Sequence, residues 1–314
     1  TENLDLNIGV RHEDYDLDSV TVPKVSAILQ ATDTLQLRAS YEEVFRSPEI
    51  PTSVGTALEK IGAEYYEIQT PIPTNLSPES SDNINLGLLW APIEDMRVSV
   101  DYYSLDMVDN LGVASVSSAQ AIYNCADGNS YAGGSQPDDC QIRNITAPAI
   151  NGNGVETSGV DFAVSYDMDT DMGLLQLSLN GVNLLKYDVA NADGSTYDAK
   201  GKYNSRAGAS PIRLRSMPEL KINVGASLMN GPHFARAFVR YVSDYDVDET
   251  FAYASDFDGT NAAHNDYGVP HSFYDGKSVD SDVTLDLHYT YSAIENLELT
   301  LSVVNATDED PPYA

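Results

Sequence analysis

The side chains with the greatest chemical potential in this sequence are carboxylates: the 314 residues carry 48 Asp and Glu against 17 Lys and Arg. Paired carboxylates at a suitable separation hydrolyse glycosides. With this many acids, however, some pair falls at any chosen distance, so their presence selects no reaction. Asp244, Asp246, Asp248, Glu249, Asp256 and Asp258 have the charge to attract calcium but not the spacing of an EF-hand ligand loop, and a solvated acidic surface is the expectation. His264 and His271 share that stretch, and two imidazoles with no Cys or third His fall short of a zinc set. No nucleophile elbow, phosphate loop or zinc signature occurs. The sequence therefore predicts a protein that is not an enzyme and holds no cofactor or metal.

Cys125 and Cys140 are the only cysteines and bracket a stretch rich in Gly, Asp, Ser and Asn. That spacing suits one loop-stapling disulfide in an oxidising compartment, two free thiols being the alternative. The net charge of -31 repels phosphate, which excludes nucleic acid as a partner. Twenty Tyr against 7 Phe and 1 Trp is unusual for a soluble core and natural for a surface half in lipid and half in water.

The elements that must position these groups are strands. Val279, Val283, Leu285, Leu287, Tyr289 and Tyr291 alternate with Asp280, Asp282, Thr284, Asp286, His288 and Thr290. After a short turn, Leu297, Leu299, Leu301 and Val303 alternate with Glu298, Thr300 and Ser302. A period of two with one apolar and one wet face is a strand signal, and the length matches a tilted bilayer crossing. The same period recurs from Leu4 to Arg11, Val25 to Gln30, Leu35 to Tyr41, Asn83 to Trp90, Arg97 to Tyr102, Val160 to Tyr166, Leu175 to Asn180, Leu220 to Gly225 and Phe234 to Tyr241, giving about eleven strands.

The connections alternate in length. Ala31 to Thr34, Ala91 to Asp95, Asp167 to Gly173, Asn230 to His233 and Ser292 to Asn296 are short. Pro51 to Ser77, Gly112 to Gly154, Lys186 to Met217 and Val247 to Ser278 are long, and are read as loops without structure of their own. Short turns on one side and long loops on the other describe an all-β, antiparallel transmembrane barrel portion with periplasmic turns and extracellular loops. Arg38, Arg97, Asp101, Asp161, Lys221, Arg236, Arg240 and Asp286 fall on the wet side of their strands and are predicted to face a lumen holding water or a polar plug. An odd strand count implies that part of the barrel is missing, because bacterial single-chain barrels are even-numbered. A start at Thr1 already feeding a strand points the same way.

Five segments carry a family resemblance. Asp33 to Tyr41 leading into Phe45-Arg46-Ser47-Pro48 resembles the strand and "fraP" turn of TonB-dependent outer-membrane receptors. Pro78-Glu79-Ser80-Ser81-Asp82-Asn83 resembles their "PE.S.N.E.G" segment, Gly154 to Asp161 their "T.GvD/E" strand, and Pro218 to Asn223 their "P..k.n" strand. Leu301 to Tyr313 resembles the "v.NlfD.dPpy" segment before the last strand. Ala119 to Ile122, Cys125, Cys140 and Arg143-Asn144 are similar to a subgroup of large proteobacterial receptors associated with oligosaccharide or siderophore uptake.

The resemblance implies that residues 1–314 form the C-terminal half of a barrel of about twenty-two strands, without its plug, first half-barrel and last strand. It implies an outer-membrane receptor of a Gram-negative bacterium that imports a scarce, bulky ligand, a siderophore or oligosaccharide. The energy comes through a TonB complex engaged by the missing N-terminal region, and the full-length protein is a monomer in outer-membrane lipid. A passive porin-like barrel or a surface adhesin is the alternative. The same resemblance puts ligand capture on the outer loops, where Tyr65, Tyr66, Tyr131, Tyr197, Phe251, Tyr253, Phe257, Tyr267, Phe273 and Tyr274 offer faces that stack on sugars or aryl groups.

Overall fold

The computed structural model describes residues 3–14, 19–48, 55–61, 64–72, 76–113, 122–125, 130–132, 140–152, 154–190, 196–203, 216–247 and 277–310. The alternating segments form β1 (Leu4–Asp14), β2 (Ser19–Thr32) and β3 (Leu35–Arg46), then a hairpin of β4 (Gly55–Ile61) and β5 (Glu64–Thr70), then β6 (Glu79–Trp90) and β7 (Met96–Val108). The chain continues through β8 (Leu111–Val113), β9 (Ile122–Cys125), β10 (Ser130–Ala132), β11 (Cys140–Thr146) and β12 (Ala149–Asn151) to the long pair β13 (Val155–Thr170) and β14 (Gly173–Ala190). Next come β15 (Thr196–Asp198), β16 (Lys202–Tyr203), β17 (Leu220–Asn230), β18 (His233–Val242), β19 (Tyr245–Val247), β20 (Lys277–Val279), β21 (Asp282–Ile294) and β22 (Leu297–Val303). No helix occurs among the described residues.

Eleven long strands make one antiparallel sheet in the order β1-β2-β3-β6-β7-β13-β14-β17-β18-β21-β22, with β15 added beside the end of β14. The predicted strands are all present and most are longer than the alternation alone indicates. β2 gains Ser19 to Lys24, including Pro23, and β13 and β14 reach 16 and 18 residues. Strand pairing extends beyond the span in which one face must be apolar, so hydropathy marks only the middle of each strand.

The two faces differ along the ladder, with all the charges of two adjacent rows on one side. One row of cross-strand partners runs Leu4, Leu29, Leu37, Leu88, Val100, Phe162, Gly181, Ile222, Tyr241, Val283. The adjacent row, one residue away on every strand, runs Asp5, Ile28, Arg38, Gly87, Asp101, Asp161, Val182, Lys221, Val242, Asp282. A slip of one residue would exchange these sets between faces, which is what fixes the register. The apolar row lacks a side chain only at Gly181, where an added Cβ would come 2.5 Å from Phe162 Cζ, so the ring opposite covers the gap.

Apolar side chains on the first face stay open to the surroundings, among them Leu6, Ile8, Leu86, Trp90, Leu299 and Leu301. A soluble sheet would bury such a face against a second layer. Its ends carry amphipathic rings. Trp90 stands beside one short turn, and His233, Tyr289 and Tyr291 gather beside others, with His233 Nδ1 2.6 Å from the Tyr289 hydroxyl and its ring 5.1 Å from that of Tyr291. Toward the opposite end the Tyr41 hydroxyl donates to Asp82 at 2.7 Å.

The turns follow backbone chemistry. Gly231 (φ 55) and Asn296 (φ 59) supply the left-handed residues of two tight hairpins, and Gly173 (φ 116) closes a third, where a Cβ would overlap the Met229 carbonyl. The long connections differ from expectation, since they build structure of their own. The connections after β3 and β7 join in one five-stranded sheet ordered β10-β9-β11-β5-β4, β8 pairs with β12, and β16, β19 and β20 form a third sheet. The β11–β5 pair is parallel and ties two connections far apart in sequence. Val155, Val189, Tyr197 and Ala199 form a small buried cluster packed with Met107, Tyr187 and Met217, and Ile68 and Ile145, partners across β5 and β11, are buried as well.

Candidate functional site

All eight charges predicted for the wet side lie on one face of the ladder. Arg38, Asp101, Asp161 and Lys221 share the row given above, Arg97 stands four residues before Asp101 on β7, and Arg236, Arg240 and Asp286 keep the same parity on β18 and β21. Their surroundings fall into three kinds. Arg38 makes a two-pronged bond to Asp101, Nε to Oδ1 at 2.7 Å and Nη2 to Oδ2 at 2.6 Å, crossing the intervening strand β6 at Gly87. Arg240 donates to Asp286 at 2.8 Å and to Thr284 at 3.2 Å. Asp286 is only 8% exposed, and its other oxygen accepts the backbone N–H of Asn305 at 2.9 Å, anchoring the segment that follows β22. Arg236 lies over the Phe238 ring at 5.1 Å. Arg97, Asp161 and Lys221 form no ion pair among the described residues.

Two grooves open along this face. One of about 450 Å³ is lined by Lys221, Asp280, Asp282, Thr284, Asn305 and Glu309 among others, and one of about 430 Å³ by Ser99, Asp161, Asn180, Val182, Lys221 and Asn223 among others. Both are shallow and mixed in character: charged and amide groups stand beside apolar surface from Pro218, Val242 and Tyr245 in the first and from Phe162, Ala163 and Val182 in the second. Among the described residues no three His, Cys, Asp or Glu converge on a point that would hold a metal ion.

The predicted rings fare differently. Tyr65 and Tyr66 belong to β5 and Tyr131 to β10, so these three stand on the strands of one sheet rather than in open loops. Tyr197 corrects the expectation of an exposed ring. It is 8% exposed, packs with Val155, Val189 and Ala199, and has the Lys202 ammonium 5.3 Å from its centroid. Its role in this structure is to seat β15 against the end of β14. Phe251, Tyr253, Phe257, Tyr267, Phe273 and Tyr274 lie outside the described residues, as do the acids from Asp248 to Asp258 and both His264 and His271. The backbone register sets Cys125 and Cys140 directly opposite each other across β9 and β11. Antiparallel partners sit about 4.5 or 5.5 Å apart at Cα, inside the range that a disulfide spans.

Sequence reasoning missed the sheet formed between connections, because its strands are short and carry no clear period. It also missed the brace at Glu79, which accepts from Arg46 at 2.8 Å and from the Leu111 N–H at 3.0 Å. The only hint was Glu79 standing at the start of a strand.

One face bare and apolar with rings at its margins, the other lined with charges of both signs, defines the wall of a membrane β-barrel. The chain belongs to the family described as TonB dependent receptor-like, beta-barrel, whose model matches residues 1–306. None of the curated proteins compared with the sequence matches it. Among solved structures it is similar to the siderophore receptor PirA from Acinetobacter baumannii, at 13% identity and a TM-score of 0.66 over 98% of this chain and 40% of that one. It is similar to the ferric enterobactin receptor PfeA of Pseudomonas aeruginosa, solved in complex with enterobactin, at 15% identity and a TM-score of 0.65 over 98% and 38%. It is also similar to the FrpB iron transporter from Neisseria meningitidis, at 13% identity and a TM-score of 0.57 over 99% and 40%. The chain thus spans about 40% of the length of the solved structures it matches.

Proposed function

We propose that residues 1–314 are the C-terminal half of the barrel of an outer-membrane import receptor of a Gram-negative bacterium. The whole protein captures a scarce, bulky ligand on its outer side and admits it with energy delivered by a TonB complex. The observation that carries this reading is the family match along nearly the entire sheet, joined to a two-faced ladder whose charged side requires a wet or filled lumen. The Tyr-bearing sheet β10-β9-β11-β5-β4 is the favoured capture surface, held by a Cys125–Cys140 bond. A ferric siderophore is the first ligand to test, since the solved relatives are named for siderophores, enterobactin and iron.

The test compares uptake of labelled ferric siderophores and labelled oligosaccharides in the source strain, in a strain lacking the gene, and in a strain lacking TonB. Loss of uptake of one ligand class in both deletions is the expected result. Uptake that needs the gene but survives loss of TonB would replace the coupled receptor with a passive barrel.

A further inference from the structure

One row of the charged face repeats the same arrangement three times. Along Arg38, Gly87, Asp101, Asp161, Val182, Lys221, Val242 and Asp282, opposite charges stand two strands apart across a single intervening residue. Two strand spacings are about 9.6 Å between backbones. Arg38 and Asp101 face each other over Gly87, Asp161 and Lys221 over Val182, and Lys221 and Asp282 over Val242.

Only the first pair closes. Its bridge occupies the volume a Cβ would take at Gly87, where an added carbon would overlap Asp101 Oδ1 and lie 2.7 Å from Arg38 Nε. Val182 and Val242 fill that volume with branched side chains, and no ion pair joins Asp161, Lys221 and Asp282 among the described residues. The glycine permits neutralisation, and the valines hold neighbouring charges apart.

The separated charges have space around them. Lys221 lines both grooves and shares the one of about 430 Å³ with Asp161, Asn180 and Asn223. Asn223 Nδ2 donates to Asn180 Oδ1 at 2.9 Å, which leaves the Asn180 amide hydrogens and the Asn223 carbonyl for another partner. A carboxylate, an ammonium and two side-chain amides therefore share one open groove whose remaining wall, from Phe162, Ala163 and Val182, is apolar and suits a methylene chain between two charged ends.

We infer that Asp161 and Lys221 are the two poles of a binding site for a bipolar solute. Its ligand carries a cationic group for Asp161 and an anionic group for Lys221, several ångströms apart, as in an ω-amino carboxylate or a peptide-like zwitterion. The site rests on the ladder geometry and the groove beside it, and holds whether or not the barrel is coupled to TonB.

The probe is 6-aminohexanoate, with hexanoate, hexylamine and glycine as one-charge and short zwitterionic controls. Binding to the full-length protein in detergent micelles is read by saturation-transfer NMR. The expected result is at least a tenfold tighter Kd for 6-aminohexanoate than for any control. Asp161→Asn and Lys221→Gln each remove that advantage. Val182→Gly, which deletes no charge, also removes it by letting Lys221 close onto Asp161, whereas Val182→Ala keeps a Cβ in place and retains it. Equal binding of all four probes, or a Val182→Gly protein that binds as the unchanged one does, overturns the inference.

Discussion

Leu86→Arg is the sharpest test of which face meets lipid. On β6 the apolar face carries Asp82, Ile84, Leu86, Leu88 and Trp90 in turn, with Asp82 bonded to Tyr41 at one margin and Trp90 beside the turn at the other. Eight residues separate these markers, about 26 Å along the strand and about 20 Å after a tilt of about 40°. That span is close to the apolar band of an outer-membrane barrel, and Leu86 lies halfway across it. An arginine at the midplane costs about 2 to 4 kcal/mol. At about 1.4 kcal/mol per decade, the folding equilibrium constant should fall by roughly one and a half to three decades. Asn85, one residue earlier, pairs with Ser40 and Tyr103 on the charged face, and Asn85→Arg should change stability by less than about 0.5 kcal/mol. The assay is reversible denaturant unfolding of the full-length protein in lipid vesicles, comparing the two variants. Equal costs, or a greater cost at Asn85, would refute the assignment of faces and the barrel reading with it.

Three further predictions address the turns and the outer segments. Gly173→Ala should destabilise by more than about 1 kcal/mol, measured in the same titration, because φ is 116 and the new carbon meets the Met229 carbonyl. Asp286→Asn should cost about 1 to 2 kcal/mol, since one oxygen of a nearly buried carboxylate must give up either Arg240 or the Asn305 N–H. Protease cleavage near Asn305 should accelerate severalfold in that variant, and unchanged cleavage would argue against the anchor. Protein purified under oxidising conditions should resist alkylation at Cys125 and Cys140, and loss of the bond should cost the sheet around β9 and β11 about 3 kcal/mol, the entropy of closing a loop of this length. Two freely alkylated thiols would remove the staple from the picture.

The strand count, the order of neighbours, the short turns and the sides taken by Arg38, Asp101, Asp161, Lys221 and Asp286 were all legible in the sequence. A wall wet on one face and greasy on the other writes its period into every residue pair. The partnerships on the wet face were not legible, because they depend on which residue stands between two charges. Glycine at 87 and valine at 182 look equally innocuous in a strand, yet one accompanies a bridge and the other a gap. The resemblance offers Tyr197 as a ligand-facing loop ring, whereas its burial comes from its strand partner Val189 and from Val155, which is distant in sequence. The pairing of β5 with β11 was hidden for the same reason, since parallel contacts between separate connections leave no local pattern.

The first and last strands of the ladder have a consequence for assembly. Every neighbouring pair in the order of eleven is antiparallel, so β1 and β22 point in the same direction. A second copy inserted the same way up would offer β1 to β22 with matching rather than opposed polarity. Two such arcs could close as an antiparallel ring only with one inverted, putting one set of long connections on each side of the membrane. The sheet is therefore directional: any set of strands that joined both of its edges antiparallel would have to be odd in number, beginning and ending against its own grain.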